Sequence, residues 1–396
     1  MKMVRYANGA CVAMVAAAVA LGLASSGAAA GDTIKIGVAE SITGDWAPYV
    51  GVGGMRCMAE KINENGGVLG KQIELLVSDS KSDPQLALAL AEQMLDNGAI
   101  AITGTPASDS LIPIAQMTAE SGVITFSPNN TQVEMFDVGL DNFLTTAVPD
   151  PFNASGVAEV AYANGARTVV LFLSDVAGTW TRNLPEWFGE TFENMGGKVV
   201  GRIEYPGFGV TDWSPYVSQI KAMDPVPDAV HISSIVPDVG VLIRQLRGAG
   251  LNTMVLGSDG FDDPTLQDVA GGGANVDGTV FFGAHGFAGE GNALDMFAEE
   301  CTAKGHQING AFFGLGGDII TILVQGIERS GSEDPRDVLE AIWSAESVEA
   351  ITAPSISYQN KWHYPIKAVA VTGFGDGGQR VLAGMIQPKY TPHFKE

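Results

Sequence analysis

The chain has 396 residues, with 22 lysines and arginines against 45 aspartates and glutamates, a formal charge of −23 at pH 7. A surface this acidic repels phosphate backbones and anionic headgroups, which argues against nucleic acid or an anionic membrane as partner. Three cysteines are too few for a disulfide scaffold, so stability must come from a packed core.

The first segment, MKMVRYANGACVAMVAAAVALGLASSGAAAGD, has the layout of a secretory signal peptide. Lys2 and Arg5 form a positive start, Cys11 to Leu23 an apolar run, and Gly27 to Ala30 a small-residue cleavage site. Cleavage near Ala30 and export are expected. Cys11 begins the apolar run instead of following it, a poor place for lipid attachment. The remaining stretch of about 366 residues suits two domains. No later run reaches the roughly 18 apolar residues needed to span a bilayer; Ile319–Ile327 reads as a core helix. Cys57 and Cys301 remain after processing. An oxidising compartment permits one bond between them, but two buried free thiols are the expected state.

In chain order, Ile34–Ala39 reads as a strand, Pro48–Asn63 as a helix and Ile73–Val77 as a strand. Pro84–Asn97 is a helix capped by Asp83, Ala99–Thr103 a strand, Ser108–Glu120 a helix and Val123–Phe126 a strand. The alternation restarts with a helix at Phe152–Asn164 and a strand at Thr168–Leu173. Helices at Leu184–Met195, Trp213–Met223 and Asp238–Gly250 then separate strands at Val199–Tyr205, Ala229–Ser233 and Met254–Gly257. This rhythm implies two α/β lobes, each with a doubly wound parallel sheet. Breaks fall at 146–151, 283–289 and 358–365. Between the last two lie long helices, Gly310–Ser330 and Pro335–Ala345, which need a sheet to cover. Strand-like Ile366–Thr372 and Val381–Ile386 close the chain.

Ligands of open parallel sheets bind beyond the carboxyl ends of the strands. Those ends read ESITGDWAPY (40–49), GTPASDS (104–110), SPNNT (127–131), SDVAGTW (174–180), SSIVPD (233–238) and GSDGFDD (257–263). Any one is an ordinary turn, since Ser, Pro and Asn favour turns for local reasons. Six polar strand ends on two units, with Trp46, Tyr49 and Trp180 among them, suit a cleft for a small molecule with charged and apolar parts. Enzyme signatures are missing: GVGG (51–54) is a broken dinucleotide turn, and there is no P-loop, G-x-S-x-G or H-E-x-x-H. The five histidines lack ligand spacing, so no catalysis, cofactor or metal is expected.

The stretches IKIGVAESITGDWAPYVGVGGMRCMAEKINENGGVLGKQIELLVSDSKSDP, ITGTPASDS, SGVITFSPNNT and IRQLRGAGLNTMVLGSDGF resemble the type I periplasmic solute-binding proteins of ABC transporters, specifically the leucine/isoleucine/valine-binding group. The resemblance implies a type I periplasmic binding protein fold, two lobes joined by three crossovers. The N-terminal lobe would be 31–148 with 286–362, and the C-terminal lobe 149–285 with 363–396. It implies a periplasmic monomer that captures an amino acid or amino-acid-like solute by hinge closure and delivers it to an inner-membrane permease. Carried over by position, Ser108, Asn129 and Thr131 would hold the α-carboxylate and α-ammonium, and Asp259 would pair with the ammonium. Tyr49 would pack on the side chain, Trp180 or Thr179 would line the second lobe, and Phe312 would stand at the long helix. Taken singly, Ser108 is also a helix cap, Asp259 a turn residue, and Tyr49 and Trp180 core aromatics. The sequence departs from the group at Ile235, where a tyrosine is usual, and at Gly314, where an aromatic is usual. The group's disulfide positions read Ser82 and Ala107. These departures predict a roomier pocket and keep open an aromatic carboxylate, a short amide or a urea-like compound as ligand, or a sensory role. Asp109 and Asp318 would oppose an extra anionic group if they face the pocket.

Overall fold

The computed structural model describes residues 33–289 and 291–394; the signal peptide expected over 1–30 lies outside them. The first sheet contains β1 (Ile34–Val38), β2 (Ile73–Val77), β3 (Ala101–Thr103), β4 (Ile124–Ser127) and β5 (Phe143–Thr145). All are parallel, in the order β2-β1-β3-β4-β5. Every residue of β3, β4 and β5 is buried, as expected where helices cover both faces. The intervening helices are α1 (Val52–Glu64), α2 (Pro84–Asp96), α3 (Ser108–Glu120) and the single turn α4 (Glu134–Asp137). Asp83 caps α2 by accepting the Gln85 and Leu86 N–H groups, with Pro84 at the first turn.

The second series runs α5 (Asp150–Ala163), β6 (Thr168–Leu173), α6 (Gly178–Asn194), β7 (Lys198–Glu204), α7 (Ser214–Lys221), β8 (Ala229–His231), α8 (Asp238–Gly248), β9 (Met254–Gly257), α9 (Leu266–Val269) and β10 (Val280–Ala284). Then come α10 (Ala293–Ala303), α11 (Ala311–Ser330) and α12 (Pro335–Ser344), and finally β11 (Val369–Phe374) and β12 (Arg380–Ile386). The second sheet has the order β12-β11-β10-β9-β8-β6-β7. It is parallel except that β11 runs antiparallel to both β10 and β12. The chain passes between the sheets three times: after β5, after β10 and after α12.

The helices between the second and third passages return to the first lobe. Phe297 of α10, residues of α11 and α12, and Met55 and Cys57 of α1 share one apolar core with β1, β3 and β4. A Cβ on Gly316 would lie 1.8 Å from the Gly51 carbonyl oxygen, and one on Gly54 equally close to that of Phe313. The GVGG stretch is therefore a packing seam, where only glycines let the α1 and α11 backbones touch. It also fixes Tyr49 and Phe312 at adjacent ends of the two helices. The helix expected from Pro48 begins at Val52 instead, because residues 47–49 form a separate 3-10 turn.

Cys57 and Cys301 are disulfide-bonded, with Cα atoms 5.8 Å apart, which corrects the expected free thiols. Their separation of 244 residues hid the pairing, since α10 was not legible as an element packed beside α1. β5 and β10 were also missed. One is three residues long, and the other, VFFGA, runs into the glycine-rich stretch that reads as a break.

Candidate functional site

The carboxyl ends of the two sheets face each other across a narrow cleft. The first lobe contributes Trp46 and Tyr49 after β1, Pro106 and Ala107 before α3, and Asn129, Thr131 and Gln132 after β4. Ala177 and Trp180 at the start of α6, Ile235 after β8, and Asp259 and Gly260 after β9 form the opposite wall; Phe312 closes one end.

The first-lobe loops are tied together by their own side chains. Ser82 Oγ accepts the Trp46 N–H at 3.2 Å and donates to the Thr43 carbonyl at 3.1 Å. Asn129 donates to the Tyr49 carbonyl at 2.6 Å while its Oδ1 accepts from the Ser127 hydroxyl at 2.9 Å. Asn130 donates to the Pro106 carbonyl at 2.6 Å. SPNNT is thus a knot joining three strand ends, which takes one N–H and the oxygen of the Asn129 amide.

Several bonds run between the lobes. The Tyr49 phenol accepts the Val236 N–H at 3.1 Å and donates to the Gly260 carbonyl at 3.2 Å. Burial pushes this phenol well above its usual range, so it remains a donor. Glu134 accepts the Thr179 N–H at 3.3 Å and its hydroxyl at 2.5 Å. Asp262 accepts the Ala311 N–H at 2.9 Å. Trp46 meets Trp180 edge to face, with centroids 6.3 Å apart, and Phe312 meets Tyr49 likewise at 5.6 Å.

Asp259 is 6% exposed and accepts two hydrogen bonds, from Trp180 Nε1 at 3.0 Å and from His285 Nε2 at 3.1 Å. The other nitrogen of His285, Nδ1, accepts the Val148 N–H at 3.1 Å. A backbone N–H can only donate, so Nδ1 is bare and the ring proton sits on Nε2. The carboxylate therefore has two neutral donors and no cationic partner.

A second carboxyl stands behind the first. Asp150, the opening residue of α5, is 1% exposed, and neither of its oxygens has a hydrogen-bond partner. The Thr131 hydroxyl is close by but completes no hydrogen bond with it. Burial first, and the Asp259 charge second, push Asp150 well above the usual carboxylate range.

Ser108 does not line the cleft. Its N–H, the first of α3, is occupied by Gln132 Oε1 at 2.7 Å, and its hydroxyl lies 3.3 Å from the Asn130 amide. Gln132 then donates through Nε2 to the Ala177 carbonyl of the second lobe at 3.0 Å. The α3 N-terminus, where a ligand carboxylate was expected, is filled by the chain's own amide.

The family model for periplasmic binding proteins matches residues 33–379. The chain belongs to this family. The leucine-, isoleucine-, valine-, threonine- and alanine-binding protein of Pseudomonas aeruginosa is 27% identical over 329 residues, covering 82% of this chain and 86% of its own. The crystal structure of the leucine-binding protein LivK from Thermotoga maritima superposes with a TM-score of 0.76 at 27% identity, over 90% of this chain and 99% of that one. A solute-binding protein from R. palustris in complex with benzoate shares the fold, with a TM-score of 0.77 at 19% identity over 91% and 98% of the two chains. The type I architecture of two α/β lobes around a cleft is thus common to this chain and these family structures.

Within this family frame, Tyr49, Asn129, Thr131, Trp180, Asp259 and Phe312 lie together at the cleft, and Ser108 lies just behind it. Two inferences from the departures need correction. A Cβ on Gly314 would meet Leu294 at 2.5 Å and Thr352 at 2.7 Å, so Gly314 packs away from the cleft and does not enlarge it. Asp318 is fully buried and bonded to the Ile351 and Thr352 backbone, while Asp109 is exposed on α3; neither lines the cleft. Gln132, Asp150 and His285 were missed. Only Gln132 had a local signal, since it directly follows SPNNT.

Proposed function

We propose that the chain is the periplasmic solute-binding component of an ABC transporter, exported after cleavage near Ala30, and that it captures an amino acid or amino-acid-like solute. The lobes are 31–148 with 286–362 and 149–285 with 363–396, hinged at the three passages. The solute sits between them, and contacts from both sides stabilise the closed form, from which it passes to an inner-membrane permease. No bond is made or broken. The protein works as a monomer.

The single observation that carries this reading is Asp259: buried, held by two neutral donors, and exposed to a cleft whose lining contains no lysine or arginine. A carboxylate so placed lacks only a cationic partner, and an ammonium taken out of water needs a counter-charge. The aromatic walls suit an apolar body beside that group. An aromatic carboxylate finds no cation in the lining to pair with. Calorimetric titration against a panel of amino acids and amines tests the proposal. Binding should be lost in Asp259→Ala, and undiminished binding by that variant would refute the role.

A further inference from the structure

We infer that the solute is an organic cation without a free carboxylate: an amine head on Asp259 with an apolar body between the aromatic walls. This rests on the reading of the cleft given above and narrows it. Recognition of a zwitterion needs two poles, and here only one is vacant.

The anion pole is closed from within. Gln132 Oε1 takes the Ser108 N–H, and Gln132 Nε2 is anchored on the Ala177 carbonyl across the cleft. A carboxylate entering there would have to break both bonds and part of the contact between the lobes. Asn129, the neighbouring amide, holds the Tyr49 carbonyl with one N–H and accepts from Ser127 through its oxygen. What remains on that side is uncharged: the second Asn129 N–H and Thr131, with the buried Asp150 carboxyl behind it. Glu134 stands two residues beyond Gln132, with its carboxylate on Thr179. A ligand carboxylate entering there would approach the Glu134 carboxylate with no cationic side chain in the lining to offset it.

The cation pole is provided by Asp259, which faces the cleft directly. The lining rings of Trp46, Tyr49, Trp180 and Phe312 come from both lobes. Aromatic walls combined with an acid recognise alkylated and primary ammonium groups, through attraction to the ring quadrupole and through the ion pair.

The test compares three probes of one side-chain shape on the full-length mature protein: leucine, leucinamide and isoamylamine. Titration is by calorimetry at about pH 6.5, where ammonium groups are charged. Isoamylamine and leucinamide should bind at least about tenfold more tightly than leucine. In Gln132→Ala, which vacates the Ser108 N–H, leucine should gain affinity relative to isoamylamine. Leucine binding as tightly as the amines in the unaltered protein would overturn the inference, as would failure of both amines to bind at millimolar concentration. If leucine alone binds and Asp259→Asn abolishes that binding, the cleft reading stands and this narrowing falls. If amine binding survives Asp259→Asn, with folding verified by thermal unfolding, the cleft reading itself fails.

Discussion

The imidazole of His285 donates to Asp259 through Nε2 and accepts the Val148 N–H through Nδ1, so one ring connects the acid of the cleft to the first passage between the lobes. His285 itself opens the second passage, directly after β10. Solute charge and hinge geometry thus meet at a single side chain.

Replacing His285 with alanine removes a hydrogen bond to a charged group and leaves the Val148 N–H without its partner. A bond of that kind contributes about 1.5–3 kcal/mol. Solute affinity should fall about tenfold or more, and the thermal midpoint should drop as well. Titration and thermal unfolding of the variant, compared with His285→Gln, check this. The glutamine should recover stability better than affinity, because its amide can reach only one of the two partners at a time.

Tyr49→Phe keeps the ring that lines the cleft and deletes the phenol that bonds Val236 and Gly260 of the other lobe. Two neutral hydrogen bonds contribute about 1–3 kcal/mol together, and they exist only when the lobes are closed. The variant should show a larger radius of gyration by small-angle scattering without solute. It should bind solute about five- to tenfold more weakly at an unchanged thermal midpoint.

The Cys57–Cys301 bond closes a loop of 244 residues and ties α1 to α10. Its loss in Cys57→Ser/Cys301→Ser should cost about 2–5 kcal/mol of stability. Chemical denaturation should register that loss. The sulfurs lie in the first-lobe core and not at the cleft, so solute affinity at room temperature should remain as in the unaltered protein.

Glu40, at the end of β1, is fully buried; one oxygen accepts from the Thr103 hydroxyl at 3.2 Å and the other has no partner. Burial pushes its pKa up from 4.5 to about 8, so the folded chain holds a proton that the unfolded chain releases. Between those values the folded state binds more protons, and this contribution to stability is lost as pH rises. His231, held neutral by burial at about 3, acts in the opposite direction below its unfolded value of 6.5. Comparing Glu40→Gln with the unaltered protein cancels the His231 effect. The difference in unfolding free energy should therefore move in favour of Glu40→Gln from pH 5 to pH 8, by about 1 kcal/mol per pH unit. Parallel stability curves for the two proteins would contradict this.

Much of the architecture was legible because parallel sheets bury both faces, and runs such as TVVLFL at β6 are then continuously apolar. The cleft could be found from the strand ends alone, since topology places them on one side. What sequence could not supply was the partner of each polar group. Asn129 looks like a ligand contact until its amide is seen bound to Tyr49, and Ser108 until Gln132 is seen on its N–H. Asp150 falls in the proline-flanked break before the helix expected from Phe152, and only its burial exposes its lack of partners. The glycines of GVGG carried a signal of close approach, but the surface they meet lies more than 250 residues away on α11.

A crystal structure of the protein with the solute it carries from its native host tests the central claim most directly. The account predicts that solute between the lobes, with a positively charged nitrogen within hydrogen-bonding distance of Asp259, about 3 Å, and with Gln132 still on the Ser108 N–H. A solute bound outside the cleft, or one turning a carboxylate toward Asp259, would contradict it.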